Sequence, residues 1–384
     1  MAPLTLVAFW ASSALLAFTF AGYRVLIEWL ARGRPEIDAH VNIETAPDVA
    51  VVLVAYNEER RIRERVENLL ASDYPAGRLR VVVVSDGSTD ATVEIAGGLN
   101  DSRVRVLPLS ERRGKAAGLN AGLAVAEAEV VVLTDARQRF PRDTIARLVA
   151  HFANPQVGAV SGSLEIDNAQ SAAGRGVDAY WRFEKAIRKA EARWDSCIGC
   201  TGAVYAIRRT LYRTIPEDTV LDDVVIPMQI AMQGRRVLHD SQALAYDPQP
   251  LEPTAEKRRK RRTLAGNFQM LFRYPEWLVP SRSRLWWQLL AHKYLRLAAP
   301  VMLLLAFVSS FLLSGAWLYR AAFFSQCALY ACALAGLSCP RLRGRAFTLP
   351  AGFVFLNLTT VLAFWHYLRS ASLHHWESAR ATQQ

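Results

Sequence analysis

The sequence predicts an α/β domain inserted between about four membrane-spanning helices. From residue 49 to residue 250, short apolar runs rich in valine alternate with helical patterns. Four other stretches are apolar over nearly the roughly 20 residues that cross a bilayer core. Hydrophobic residues make up 52% of the 384-residue chain, a high share for a soluble protein. The length is sufficient for one or two domains with full cores.

Apolar strands and helices follow one another in the first half of this domain. Strands are predicted at residues 48–56, 79–90 (ending in a turn), 102–109 and 128–135, and helices at residues 57–70, 90–99 and 114–126. Strands of nearly continuous Val and Leu are typical of parallel sheets, which are buried on both faces. Ligands of such sheets bind beyond the carboxyl ends of the strands.

Polar residues stand at three of these strand ends. They are Tyr56, Asn57 and Glu58, then Asp86, Gly87 and Ser88, and finally Asp135. A turn or a helix cap explains any one group alone, since Gly87 supplies positive φ and Asp90 can cap a helix. Three acidic strand ends in one half-domain favour a ligand site. Neither GxGxxG nor a Walker A sequence is present, which argues against nicotinamide enzymes and P-loop NTPases.

Four stretches are predicted to span a membrane. They run over residues 4–30, 295–319, 321–339 and 347–368, and the third is the shortest. The first stretch lacks a basic segment before its apolar run and is too long for the core of a signal peptide. We therefore expect an uncleaved anchor.

Basic residues in the loops predict how these spans are oriented. Much of the net charge of +11 lies at Arg32, Arg34, residues 257–262, Arg282, Arg284, Arg341, Arg343 and Arg345. If these residues all lie on the cytoplasmic side, residues 31–290 are inside and both termini are outside. The charges sort by membrane side rather than onto one recognition element, so no nucleic-acid partner is expected.

Four stretches of the α/β domain follow one another in a recognisable order and spacing: VVLVAYNEE, VVVVSDGSTD, RGKAAGLNAGL and VVVLTDA. They resemble the donor half of membrane-bound family 2 inverting glycosyltransferases. The resemblance covers about residues 48–270 and the membrane layout, and is to exopolysaccharide and cellulose-synthase-like members and N-acetylglucosaminyltransferases. It implies a cytoplasmic GT-A fold, which is a Rossmann-like α/β domain that binds a nucleotide-sugar.

The implied organisation has four parts. They are an N-terminal anchor at 1–31, a glycosyltransferase domain at 48–250, a basic segment with interfacial helices at 251–293, and three spans at 294–370. In the third part, Trp277, Trp286 and Trp287 are expected at the level of the lipid headgroups, where aromatic residues anchor helices.

The resemblance implies a donor site built from the strand ends. Tyr56 and Glu58 would lie against the nucleoside, and Asp86 would accept a hydrogen bond from the base. Lys115, in RGKAAGLN, would lie near the nucleotide or its phosphates. Asp135 matches the first acid of the family's Asp-x-Asp motif, the residue nearest to ribose and metal.

Arg137 stands where the family has the second acid of that motif, so a two-carboxylate clamp for a metal is not available. Three arrangements remain open. Mg²⁺ or Mn²⁺ is held by Asp135, the diphosphate and water; Gln138 adds an oxygen ligand; or Arg137 binds the diphosphate without a metal. We expect the first arrangement, because magnesium readily keeps several water ligands.

The second half of the domain carries the implied acceptor site and base. CIGCTGAVYAIRR resembles the family's glycine-rich acceptor segment, in which Gly202 allows close backbone approach and Ala203 leaves room for a sugar. Asp223 aligns with the family's catalytic base, and Asp222 replaces a glutamate. Direct displacement with inversion needs a carboxylate that deprotonates the acceptor hydroxyl. Capping of a helix N-terminus by two acids is the alternative explanation.

A basic run in AEKRRKRRTLAGNFQML occupies the place of the family's Gln-x-x-Arg-Trp motif. By spacing, Arg262 matches the arginine and would neutralise the departing diphosphate, while Thr263 replaces the tryptophan. Without that aromatic platform for the acceptor sugar, processive synthesis of a long polymer is not expected. Attraction of the run to anionic lipids is a second, compatible explanation.

Together these residues predict a multi-pass enzyme of the inner (cytoplasmic) membrane. It would transfer a sugar from a nucleotide-diphosphate-sugar to a lipid-linked or growing cell-surface polysaccharide acceptor, with inversion. Two alternatives remain open. One is transfer to polyprenyl phosphate, which needs no strong base, and the other is a non-catalytic scaffold of a polysaccharide synthesis complex.

Overall fold

The computed structural model describes residues 2–35, 46–166, 172–247, 253–339, 342 and 344–369. The chain divides into two compact units. Among the described residues, the α/β unit lies within Ile27–Glu256, and the helical unit lies within Met1–Leu26 and Lys257–Ala371. Arg341 and Arg343, which belong to the predicted basic loops, lie outside the described residues.

Helices and strands alternate through the α/β unit. The chain begins with α1 (Ala2–Ala17), a π-helical turn (Phe18–Gly22) and α2 (Tyr23–Ala31). The strands are β1 (Val49–Ala55), β2 (Leu79–Ser85), β3 (Val104–Pro108), β4 (Val130–Asp135), β5 (Val157–Ile166), β6 (Val204–Arg208) and β7 (Arg236–Asp247). The helices between them are α3 (Ile62–Leu70), α4 (Thr92–Gly97), α5 (Lys115–Val125), α6 (Thr144–Ala150), α7 (Ala172–Trp194) and α8 (Asp222–Met232).

The strands form one sheet of seven, in the order β3-β2-β1-β4-β6-β5-β7. The pairs β1–β2, β1–β4 and β2–β3 are parallel, which confirms the prediction for the first half. β6 runs antiparallel to β4 and β5, so the complete sheet is mixed. β7 is parallel to β5. The start of β6 and the end of β7 therefore reach the same edge as the end of β4.

Close packing of α5 on β1 brings the start of this helix to that edge. A Cβ added at Gly118 would lie 2.6 Å from Val54, and one added at Gly122 would lie 2.6 Å from Val52. Only residues without a side chain allow this approach. On the other face of the sheet core, Ile62, Val66 and Leu69 of α3 are fully buried, as the helical pattern predicts.

The helical unit continues the chain after the sheet. It contains α9 (Pro253–Arg273), α10 (Trp286–Leu289), a π-helical turn (Leu290–Tyr294), α11 (Leu295–Leu312), α12 (Trp317–Ser338) and α13 (Arg345–Arg369). In the described part of the chain, four helical stretches are long and apolar enough to cross a membrane: Pro3–Ala31, Trp286–Leu312, Trp317–Ser338 and Arg345–Arg369. This number confirms the four predicted candidates.

Two details of the helical unit differ from the prediction. The second candidate span ends at Leu312 rather than at residue 319, because a turn containing Gly315 separates it from Trp317. The third candidate consequently has 22 residues, long enough to cross a bilayer. Trp277 is not an exposed anchor, because its side chain is only 3% exposed and its ring stacks on Tyr274 at 4.3 Å.

Candidate active site

The loops that follow β1 and β2 are joined by hydrogen bonds between the two predicted motifs. The N–H of Thr89 donates to the side-chain oxygen of Asn57 at 2.9 Å. Asn57 itself has a left-handed backbone, with φ of 53°. The N–H of Glu58 donates to the Thr92 hydroxyl oxygen at 2.8 Å. The structure thus places these two strand ends side by side at the edge where a ligand is expected.

Asp86 fixes the loop that leads into α5. Its buried carboxylate accepts from the backbone N–H of Arg113 at 2.8 Å and from that of Gly114 at 2.9 Å. Gly114 has φ of 97°, a conformation that favours glycine. Asp86 therefore sets where Lys115 begins its helix. The contact of Asp86 with a nucleobase stays a prediction.

Lys115 lies at the centre of the site, between carboxylates from both halves of the sequence. Its Nζ is 2.8 Å from Asp135 Oδ1 and 3.4 Å from Asp222 Oδ2. Burial disfavours the ammonium, but the two carboxylates outweigh burial and raise the pKa of Lys115. The positively charged Lys115 therefore lies between Asp135, the predicted donor acid, and Asp222 of the predicted catalytic pair.

Asp222 and Asp223 form the first turn of α8 and face different parts of the site. The Asp222 side chain is 8% exposed and reaches Lys115. A Cβ added at Gly202 would lie 3.0 Å from Asp223 Oδ2, so the Asp223 carboxylate faces the predicted acceptor segment. The N–H of Cys200 donates to the Asp223 carbonyl at 2.7 Å, which ties that segment to the helix. Ala203, next in the segment, is buried.

The protonation of Asp222 gives a pH-dependent prediction. Burial raises the pKa of Asp222 from 3.8 to about 6, with Lys115 opposing and Asp223 and Asp135 adding to the shift. Between these pH values the folded chain keeps a proton that the unfolded chain loses, so this group lowers the free energy of unfolding as the pH rises. We expect Asp222→Asn to gain stability relative to wild type between about pH 4 and pH 7. Thermal unfolding in detergent measures this difference, and a difference independent of pH would contradict it.

Tyr56 and Glu58 lie beside arginines that the sequence did not single out. The guanidinium carbon of Arg112 is 4.0 Å from the centre of the Tyr56 ring. Glu58 is buried and accepts from Arg61 at 3.1 Å, and burial raises the pKa of Glu58. Arg112 Nε and Nη2 are buried without a hydrogen-bond partner among the described residues. The nucleoside contacts of Tyr56 and Glu58 stay predictions.

Arg65, on α3, holds the end of β4 through hydrogen bonds. This buried side chain donates to Thr134 Oγ1 at 2.7 Å and to the Asp135 carbonyl at 3.2 Å. Burial lowers the pKa of Arg65 to about 9. The sequence offered a signal for it, because an arginine one position before Val66 lies close to the apolar face of α3 and needs polar partners there.

Arg137 is bound by Asp247, another residue that the sequence did not single out. Arg137 Nη2 donates to Asp247 Oδ2 at 2.5 Å. Asp247 is the last residue of β7 and is 3% exposed. It is an acid at a strand end, like Asp135, and would have been recognised had β7 been predicted.

Asp135 is the residue that the sequence predicts as a metal ligand. No group of three or more His, Cys, Asp or Glu side chains that could hold a metal occurs in the described ranges. The Asp135 carboxylate is 29% exposed and already faces the Lys115 ammonium. These residues fit an ion that takes one protein carboxylate, with a diphosphate and water as its other ligands. The buried Gln138 Oε1, which has no hydrogen-bond partner among the described residues, is a further candidate oxygen.

Arg262 belongs to α9 and to the helical unit, whereas the other predicted site residues belong to the α/β unit. Its side chain is half-buried. Its contact with a departing diphosphate stays a prediction.

Residues 50–215 match glycosyl transferase family 2. The poly-β-1,6-N-acetyl-D-glucosamine synthase of Staphylococcus aureus (strain COL) is 25% identical over 225 residues, which cover 54% of this chain and 51% of that protein. The probable glycosyltransferase YdaM of Bacillus subtilis (strain 168) is 23% identical over 244 residues, 61% of this chain and 58% of that protein. The chain thus spans between half and three-fifths of the length of these two relatives.

A solved structure is similar over nearly the whole chain. The mannosyltransferase PcManGT from Pyrobaculum calidifontis, in complex with GDP-Man and Mn²⁺, is 26% identical with a TM-score of 0.69. The similarity covers 94% of this chain and 99% of that one. The mixed sheet with its flanking helices is accordingly a GT-A fold, as the resemblance implies. The sequence match of residues 50–215 and the similarity of fold together support a family 2 glycosyltransferase domain in this chain.

Proposed function

We propose that the chain transfers a sugar from a nucleotide-diphosphate-sugar to a hydroxyl of a lipid-linked or polysaccharide acceptor, with inversion at the anomeric carbon. One observation carries this proposal. Two adjacent carboxylates face opposite sides of the site: Asp222 faces Lys115 on the donor side, and Asp223 faces Gly202 on the acceptor segment. The names of the relatives, a polysaccharide synthase and a mannosyltransferase in complex with GDP-Man, support these classes of acceptor and donor.

On the acceptor side, Asp223 acts as the general base. It takes the proton of the acceptor hydroxyl as that oxygen attacks the anomeric carbon. The bond from the anomeric carbon to the diphosphate oxygen breaks, and the nucleoside diphosphate leaves. Gly202 has no side chain to displace the carboxylate, and the Cys200 N–H holds the start of α8 in place.

On the donor side, positive groups meet the diphosphate. The Lys115 ammonium lies at the edge of the sheet where the donor is expected, and positive charge there stabilises the leaving group. A divalent cation held by Asp135 would add a Lewis acid to the diphosphate oxygens, and the Mn²⁺ of the archaeal neighbour supports this cofactor. Tyr56, Glu58 and Asp86 would bind the nucleoside.

The release of nucleoside diphosphate tests the proposal. Purified full-length protein in detergent is given a panel of nucleotide-sugars that includes UDP-GlcNAc and GDP-mannose. We expect release from at least one donor, and loss of that release in Asp223→Asn. No release from any donor would overturn the proposal.

The acceptor is tested by organic extraction of a radiolabelled product from membranes. Labelled material that carries a saccharide linked to the acceptor sugar supports the proposal. A product with one sugar on polyprenyl phosphate, formed equally well by Asp223→Asn, would support the lipid-phosphate transferase instead. The reason is that an acidic phosphate needs no strong base.

The contact between Gly202 and Asp223 predicts that a methyl group added at position 202 lowers the rate of sugar transfer. A Cβ at position 202 would lie 3.0 Å from Asp223 Oδ2 and 3.3 Å from its Cγ, so the carboxylate must move. We expect Gly202→Ala to lower the kcat of sugar transfer by several-fold to about tenfold, because the carboxylate must shift by a few tenths of an ångström from the position in which it takes the acceptor proton. Gly77→Ala is the matched control, since an added Cβ there has no neighbour within 4 Å. Unchanged kcat in Gly202→Ala would contradict this placement.

We also propose that the domain works at the cytoplasmic face of the inner membrane. Four candidate spans and the basic residues beside them support this orientation. Accessibility of single cysteines to a membrane-impermeant reagent measures it. Cysteines introduced in the 31–290 segment should react only after the membrane is opened, and labelling of intact cells at these positions would reverse the orientation.

A further inference from the structure

Several hydrogen bonds join the segment after β4 to the end of β7. The N–H of Arg139 donates to the Tyr246 carbonyl at 2.9 Å, and the N–H of Tyr246 donates to the Arg139 carbonyl at 2.8 Å. The Thr144 hydroxyl donates to the Leu244 carbonyl at 2.8 Å. These bonds hold the backbone that follows Arg137 against the backbone that precedes Asp247.

Burial is unequal within this ion pair. The Asp247 side chain is 5% exposed, and its Oδ1 is buried without a hydrogen-bond partner among the described residues. Arg137 therefore compensates the burial of the Asp247 carboxylate, because a buried carboxylate without a cation is strongly disfavoured. The Arg137 side chain is 24% exposed. Its guanidinium has five N–H groups, so it can bind Asp247 and a second anion together.

The charge of Arg137 acts on Glu58, as the charge of the donor-side acid Asp135 does. Arg137 lies two residues beyond Asp135, at the carboxyl edge of the sheet. Burial raises the pKa of Glu58, while the charge of Arg137 lowers it and that of Asp135 raises it. Arg137 thus stands just beyond the end of β4, where the donor is expected, and its positive charge acts on Glu58.

We propose that Arg137, held in place by Asp247, is a built-in cation for the donor's diphosphate. It stands where the Asp-x-Asp motif has its second acid, and Asp247 is its positioning residue. Guanidinium binds phosphate oxygens through two parallel N–H groups, with charge as well as geometry. Part of the diphosphate charge is neutralised by the protein, so donor affinity depends less on a divalent ion. This inference rests on the proposed function.

Calorimetric binding of UDP and GDP to the full chain in detergent tests the role of Arg137. Each nucleotide is titrated in EDTA and again with Mn²⁺. We expect wild type to bind one of them in EDTA, with an affinity within about tenfold of that in Mn²⁺. Arg137→Gln should lose about tenfold or more in EDTA, as expected for a charge-assisted hydrogen bond. Arg137→Lys should be intermediate, because an ammonium keeps the charge without the fork.

The same titrations test Asp247 as the positioning residue. Asp247→Asn keeps the guanidinium but removes its anchor, so we expect a smaller loss, about threefold to tenfold. The double variant Arg137→Gln with Asp247→Asn should bind no more weakly than Arg137→Gln alone, because both changes act through one contact. It also removes both charges, so it tests the idea if Asp247→Asn alone fails to fold. Asp240→Asn, on the same strand and bound to His151, is the control and should not change affinity.

A third variant restores the family's two acids. Arg137→Asp combined with Asp247→Asn should bind nucleotide in Mn²⁺ and not in EDTA. Binding that requires Mn²⁺ equally in wild type and in Arg137→Gln would overturn this inference and leave the proposed function intact. If wild type binds no nucleoside diphosphate of the donor panel, in EDTA or in Mn²⁺, both this inference and the proposed function are overturned.

Discussion

Replacing Asp223 by Asn is expected to lower the kcat of sugar transfer by about 100-fold to 10,000-fold, the contribution that a positioned general base commonly makes. Asn keeps the shape of the side chain next to Gly202 but cannot take the acceptor proton. Binding of the nucleotide should hardly change, since Asp223 faces the acceptor segment. Single-turnover transfer, with calorimetry for the nucleotide, separates the two effects.

Asp143→Asn is the matched control for this experiment. Asp143 stands immediately before another helix of the same unit, α6, and pairs with Arg147. The Asp143→Asn variant should transfer sugar at the wild-type rate. A loss in Asp223→Asn confined to nucleotide affinity, or a loss shared equally by Asp143→Asn, would remove Asp223 from the role of base.

Replacing Lys115 by Met is expected to damage both stability and activity. Asp222 and Asp135 would lose the ammonium they share, and the Asp222 carboxylate is nearly inaccessible to water. Removing one partner of such a buried pair costs about 3 kcal/mol of unfolding free energy. The diphosphate would lose a positive charge as well, so we expect at least about a 100-fold fall in kcat/KM. Denaturation in detergent and nucleotide release measure the two effects.

Lys185→Met controls for the loss of an ordinary lysine. Lys185 forms an ion pair with Glu165 in which both side chains are more exposed than Asp222. Its removal should cost less than about 1 kcal/mol, as is usual for surface pairs. Equal losses of stability in the two variants would mean that Lys115 is no more than a surface ion-pair partner.

The first half of the sheet could be predicted because local pattern and burial agree there. Runs such as VAVVLVA are fully buried between helices, so the apolar residues mark both the strand and its ends. Once the strand ends were placed, Asp86 and Asp135 followed from the rule that ligands bind beyond them. The mixed second half was not predicted, because the antiparallel course of β6 is set by its neighbours in the sheet rather than by its own composition.

Contacts between distant parts of the chain could not be read from the pattern. Nothing local to Lys115 indicates that Asp222 approaches it, and nothing local to Arg137 indicates Asp247. Such pairs form because α8 begins, and β7 ends, at the same edge of the sheet where β4 ends. The sequence therefore identified most of the candidate groups but not the ion pairs that hold them.

The Arg137–Asp247 pair restricts the routes by which this site can change. An acid at position 137 alone would place a second negative charge against a carboxylate that is only 5% exposed, close to Asp135. Loss of Asp247 alone would release the arginine from its anchor. If the arginine site is converted into a two-acid site one substitution at a time, the single-substitution intermediate therefore has an unbalanced charge. The two positions are expected to be epistatic, so that either substitution is tolerated far better when the other is already present.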